Sequence, residues 1–84
     1  MTYAVRIKRS AAKALEAIAR AGRQRLIEAI DRLADNPAAG SVLKGELSGL
    51  RRVRVGDHRI VYEVHDDQLV VLVVRIGHRR DIYR

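Results

Sequence analysis

The chain has 84 residues without cysteine, tryptophan or phenylalanine, and 17 lysines and arginines against 10 acidic residues give it a formal charge of +7 and a pI near 10.8. One domain, residues 1–84, is expected, and a domain of this size buries only about 60–65% of its unfolded surface, which excludes a deep substrate cavity. The missing cysteines exclude disulfides, thiolate catalysis and cysteine-ligated zinc, and no run reaches the ~20 apolar residues of a membrane span.

Met1 to Arg6 lacks the basic start and apolar middle of a secretory signal, so the cytoplasm is the expected compartment. Tyr3 to Lys8 alternates apolar and polar residues as a strand does. Ser10 is the predicted N-cap of a first helix, carried by Ala11, Ala14, Leu15 and Ile18 and ending near Gly22. Leu26, Ile27, Ile30, Leu33 and Ala34 then repeat at helical spacing until Asn36-Pro37, making an αα-hairpin with its break at Ala21-Gly22. From Pro37 to Gly49 the chain reads as irregular, with Leu43, Leu47 and Leu50 as anchors. Three strands follow, turned at Gly56-Asp57 and at Asp66-Asp67, and the apolar stretch Leu69 to Val74 predicts an interior strand buried on both faces. The fold class is therefore α+β, a small antiparallel sheet packed on an α-hairpin in the order β-α-α-β-β-β.

The strands after Arg51 interleave arginine with aliphatic residues, as in Arg52-Val53-Arg54-Val55 and Arg59-Ile60-Val61-Tyr62. Alternation sends the valines to a core and the guanidinium groups to one outer surface. Lysine, threonine or glutamine would solvate such a face equally well. Repeated arginine argues for phosphate or carboxylate recognition, because its planar fork binds oxyanions bidentately. An anionic partner is expected, either nucleic acid or an acidic protein segment.

Together with Leu43-Lys44-Gly45, the segment from Leu50 to Tyr62 and the ending Val74-Arg75-Ile76-Gly77-His78-Arg79-Arg80-Asp81-Ile82-Tyr83-Arg84, this order of elements resembles the RelE/ParE superfamily of type II toxin–antitoxin toxins over essentially the whole chain. The RelE branch of that resemblance implies a ribosome-dependent endoribonuclease that cuts messenger RNA in the A site. The ParE branch implies poisoning of DNA gyrase on nearly the same fold, and fold alone does not choose between them. A binding module that only sequesters its partner is a third class. Both the RelE and the ParE branch of the resemblance imply an antitoxin with an acidic, partly disordered segment, and hence a toxin–antitoxin hetero-oligomer. Carried over residue by residue, the resemblance puts the basic strand pair on Arg52 and Arg54, the next-strand arginine on Arg59, the late arginine on Arg79 and the terminal tyrosine on Tyr83.

Attack of a 2′-hydroxyl on phosphorus needs a proton acceptor, positive charge on the phosphoryl oxygens and a proton donor for the leaving oxygen. Arginine supplies only the charge, since its pKa lies above about 12. Arg52, Arg54, Arg59 and Arg79 are thus read as electrostatic clamps, with Arg52, Arg54 and Arg80 as RNA contacts. The acceptor and donor come from His58, His78, Tyr83 or ribosomal RNA. Arg75 is set aside as a cross-strand partner of Glu63, and Arg20, Arg23, Arg25 and Arg32 are candidates for the antitoxin's acidic segment. The three histidines show neither i,i+4 pairing nor His-x-Glu spacing, so no metal or cofactor is expected.

Overall fold

The computed structural model describes residues 2–43 and 49–78. Among them the elements run β1 (Ala4–Ile7), α1 (Arg9–Glu16), α2 (Arg20–Asp35), a 3₁₀ turn (Pro37–Ala39), β2 (Ser41–Val42), β3 (Arg51–Val55), β4 (His58–His65) and β5 (Val70–His78). The strands form one five-stranded sheet in the order β1-β5-β4-β3-β2. Leu15, Leu26, Ile30 and Leu33 of the helices pack on Ile60, Tyr62, Val71, Val73 and Ile76 of the sheet, so the α-hairpin covers one face.

The sheet is mixed, which corrects the antiparallel expectation. β3, β4 and β5 form an antiparallel meander, but β1 lies parallel to β5, with Val5 opposite Val71 and Ile7 opposite Val73. Parallel neighbours need a long crossover between them. Nearly the whole chain separates these two strands, and side-chain alternation carries no information about strand direction. A two-residue strand, β2, also forms where the sequence suggested only irregular chain, pairing Ser41 with Arg52 and Val42 with Arg51. Leu43 and Leu50 are half-buried and joined by a 2.9 Å backbone hydrogen bond; Leu47 lies outside the described residues.

The helix boundaries shift as well. α1 starts at Arg9, with Lys8 rather than Ser10 at the N-cap, and stops at Glu16. α2 opens at Arg20, so Gly22 belongs to its first turn instead of the break. A Cβ on Gly22 would come 3.2 Å from Ile18 Cγ2 and 3.9 Å from His58 Cε1. The glycine therefore serves close approach to Ile18 within the hairpin, and the break falls at 17–19. α2 does end before Asn36-Pro37, as proline requires.

The Gly56-Asp57 turn joins β3 and β4, with Gly56 at φ +61°. The second turn is longer than expected, since β5 begins only at Val70 and Leu69 adopts φ +54°. β5 is interior, but it is not buried on both faces: Val71, Val73 and Ile76 are buried, while Val70, Leu72 and Val74 are half-buried. A bulge explains this pattern. Val61 faces Arg75 and the next residue, Tyr62, faces Val73, which leaves Val74 as an extra residue that resets the phase of β5.

A buried polar bracket fastens the 3₁₀ turn to the sheet. Tyr62 is fully buried, its hydroxyl donates to the Pro37 carbonyl at 2.7 Å, and it accepts from the Gly40 N–H at 2.9 Å. Burial pushes the Tyr62 phenol above its ordinary pKa, opposed by the Gly40 N–H and the Arg51 charge. Arg51 adds a 2.9 Å bond to the Gly40 carbonyl.

Candidate nucleic-acid interface

Cross-strand register decides which arginines share a surface. Val53 and Val55 of β3 pack towards the core, so Arg52 and Arg54 project from the opposite, helix-free face. Arg52 pairs with Val61, and Arg54 pairs directly with Arg59. Continuing across to β5, Val61 meets Arg75 and Arg59 meets Gly77. Two rows result, Arg52–Val61–Arg75 and Arg54–Arg59–Gly77. Val61 is only 3% exposed although it lies outside the main core cluster. Its flanking residues are arginines, whose aliphatic stems shield apolar neighbours while their heads stay in water.

Like charges placed directly opposite each other across strands repel, so the Arg54–Arg59 pair disfavours the fold unless an anion joins it. The two line a hollow of about 70 Å³ with Gly56 and Asp57. Arg59 Nε is buried and has no hydrogen-bond partner among the described residues. A buried guanidinium nitrogen without an acceptor is costly, and a phosphoryl oxygen is the kind of group that would satisfy it.

The structure thus brings Arg52, Arg54 and Arg59 together. It places His78 elsewhere, opposite His58 on the helix-covered face, where the two imidazoles meet edge to face with centroids 6.1 Å apart and planes at 79°. Arg79, Arg80 and Tyr83 lie outside the described residues. Arg75, set aside by the sequence reading, belongs to the arginine face. Its register partner is Val61, whereas Glu63 lies opposite Leu72 and 3.7 Å from His65, so Arg75 and Glu63 are not direct cross-strand partners as expected. Without the bulge, Arg75 would share the core face with Val71 and Val73.

A second concavity, about 320 Å³, runs between α2 and β3. Ala29, Leu33, Val53 and Val55 give it an apolar floor, and Arg25 and Arg32 of α2 give it a basic rim, with Arg54 along its β3 edge and Glu28 as its one acidic lining residue among those described. No group of three or more potential metal ligands occurs among the described residues, and no described helix is long and apolar enough to cross a membrane.

The family described as the ParE toxin of type II toxin–antitoxin systems, parDE, matches residues 5–83. A putative RelE-like toxin protein of Escherichia coli is 30% identical over 90 aligned positions, covering 99% of this chain and 92% of that protein. Toxin RelG of Mycobacterium tuberculosis is 40% identical over 45 residues, a match that takes in 54% of this chain and 52% of RelG. Among solved structures, the RelBE2 toxin–antitoxin complex of Mycobacterium tuberculosis contains a chain that superposes with a TM-score of 0.87 at 28% identity, covering 94% of this chain and all, 100%, of that one. The archaeal RelE–RelB complex of Pyrococcus horikoshii gives a TM-score of 0.80 at 32% identity, over 96% of this chain and 99% of its own. Agreement of this extent, in sequence and in fold, makes the chain a member of the RelE/ParE superfamily of type II toxin–antitoxin toxins.

Proposed function

We propose that this toxin is a ribosome-dependent endoribonuclease that inhibits translation by cutting messenger RNA. The observation that carries the reading is the opposed Arg54–Arg59 pair, with Arg59 Nε buried and without a hydrogen-bond partner among the described residues. Two preorganised guanidinium groups on one face would bind the scissile phosphate and stabilise the charge its oxygens gain as the 2′-hydroxyl attacks. Arg52 extends the same face as an RNA contact, and Arg79 and Arg80 are assigned as further contacts to the RNA backbone. Proton transfer falls to Tyr83 or to ribosomal RNA, because His58 and His78 project from the other face. With three tyrosines as its sole aromatic residues besides histidine, the chain offers no broad stacking platform, so the RNA must be presented by another body. The ribosome does this.

The partner that silences it is an antitoxin, as the toxin–antitoxin complexes of its structural relatives suggest, and an acidic, amphipathic segment of it would suit this basic chain. The groove between α2 and β3, with its apolar floor and basic rim, matches that chemistry. One observation favours a second reading, inhibition of DNA gyrase: the matching family is described by the ParE name. Incubating the purified toxin with a defined message, with and without programmed ribosomes, beside a gyrase supercoiling assay, separates the two. Cleavage only in the ribosome tube supports the nuclease; intact message with inhibited gyrase overturns it.

A further inference from the structure

β1 pairs with β5 only as far as Val73, where the Lys8 N–H closes the ladder on the Val73 carbonyl at 2.9 Å. Beyond that point β5 continues through the bulged Val74 to His78 with no strand beside it on that flank among the described residues. The gap is a cleft of about 220 Å³ lined by Lys8, Ser10, Ala11, Val74, Arg75 and Ile76. Two cations from separate elements converge on it, with the Ser10 hydroxyl as an additional donor, and no acidic side chain lines it among the described residues. Lys8 and Arg75 are both exposed, so their heads are accessible to a macromolecule. Arg75 also stands in the row that begins at Arg52, two strand spacings away. At about 4.8 Å per spacing, the cleft lies roughly 10 Å along the sheet from β3, beside the arginine face and not within it.

We propose that the cleft of Lys8, Ser10 and Arg75 is a second phosphate-binding subsite, which grips the backbone of the same RNA strand away from the phosphate held by Arg54 and Arg59. This rests on the reading of the toxin as an RNA-binding enzyme. The subsite holds and does not cut: it supplies charge and hydrogen-bond donors alone, from the flank of β5, one strand beyond Arg59 and two beyond Arg54. Arg75 is therefore a positioning residue.

The test uses an uncleavable all-2′-deoxy oligonucleotide, with binding to the free toxin followed by fluorescence anisotropy across a salt series. Lys8→Ala and Arg75→Ala should each weaken binding roughly tenfold, the loss of one charge-assisted contact, and reduce the slope of log affinity against log salt by about 0.7. Arg20→Ala, which removes one charge from the start of α2, should bind as the wild type does. Thermal melts confirm that every variant is folded, and exposed Lys8 serves where Arg75→Ala fails that control. Wild-type affinity and slope in Lys8→Ala and Arg75→Ala would overturn the subsite, as would an equal loss in Arg20→Ala or a wild type that does not bind. Cleavage of message on ribosomes is measured separately on the wild type. If that fails while the two variants still lose affinity, the nuclease reading falls and the subsite stands.

Discussion

Arg54 and Arg59 are register partners on the helix-free face of the sheet, so two guanidinium-bearing side chains stand directly opposite one another across β3 and β4. Arranged for stability alone, the position would pair opposite charges. Arg54→Gln or Arg59→Gln should therefore leave stability unchanged or raise it by about 0.2–1 kcal/mol, while single-turnover cleavage on ribosomes slows by roughly 10²–10³-fold. Melting curves and rates measured together check this. Normal cleavage by both variants would remove the clamp.

Gly40 sits where the 3₁₀ turn meets the sheet, and a Cβ there would lie 2.6 Å from the Arg52 carbonyl oxygen and 2.7 Å from the Tyr62 hydroxyl. Neither neighbour is the free end of a flexible chain. Gly40→Ala is expected to destabilise the protein by about 1–3 kcal/mol, a cost typical of overpacking, seen as an earlier denaturant midpoint. An unchanged midpoint would show that the turn yields.

Tyr62→Phe keeps the buried ring but leaves the Gly40 N–H and the Pro37 carbonyl without their partner, at a cost of about 1–3 kcal/mol. The hydroxyl also sets an alkaline limit. Its folded pKa is raised, chiefly by burial, so the neutral phenol is favoured in the native state. That stability is complete below the ordinary tyrosine pKa of about 10 and is lost as pH rises through the higher folded value. Tyr3 adds to the same trend, since its hydroxyl donates to Asp66 at 2.6 Å and that bond leads the rise in its pKa. Melting temperature should fall above about pH 10, less steeply in Tyr62→Phe.

His58→Ala and His78→Ala should cost stability more than activity. Their edge-to-face contact sits against the α-hairpin, and such pairs contribute about 0.5–1.5 kcal/mol beyond burial. A hundredfold loss of cleavage in His78→Ala, in a variant that melts like the wild type, would return this imidazole to the reaction.

The end of the chain is tested through Arg79 and Tyr83. Arg79→Ala is expected to slow cleavage by roughly 10²-fold. Tyr83→Phe distinguishes two uses of the ring: a phenol that transfers or orients a proton makes Phe nearly as slow as Ala, whereas a ring that only stacks on a base leaves Phe active. Wild-type rates in both alanine variants would remove the tail from the site.

Much of this architecture is legible in the sequence because local chemistry enforces it. Asn36-Pro37 ends α2, Gly56 supplies the positive φ of the first hairpin turn, and alternation puts Arg52 and Arg54 on one surface. Strand direction is not legible, since Val5 and Ile7 alternate identically whether β1 lies parallel or antiparallel to β5. Arg75 is the instructive miss. Counting by twos from Val71 puts a charge in the core and Ile76 outside it, a contradiction that only an extra residue resolves. That conflict of phase is the trace the bulge leaves in the sequence. Gly22 shows the converse, since a glycine required for close approach reads as a helix terminator when its neighbours are unknown.

Among the described residues the two outermost strands of the sheet are short: β1 has four residues and β2 has two. Arg6 lies within β1 and Lys8 immediately after it, while Arg51 and Arg52 are the residues that β2 pairs with. A brief, cationic border is a poor template for another chain's strand, because each added copy brings like charge against like. The charge that attracts an anionic partner therefore also acts as a barrier to self-association. It follows that the uncomplexed protein should stay dispersed at low salt and become prone to precipitate as ionic strength rises and the repulsion is screened.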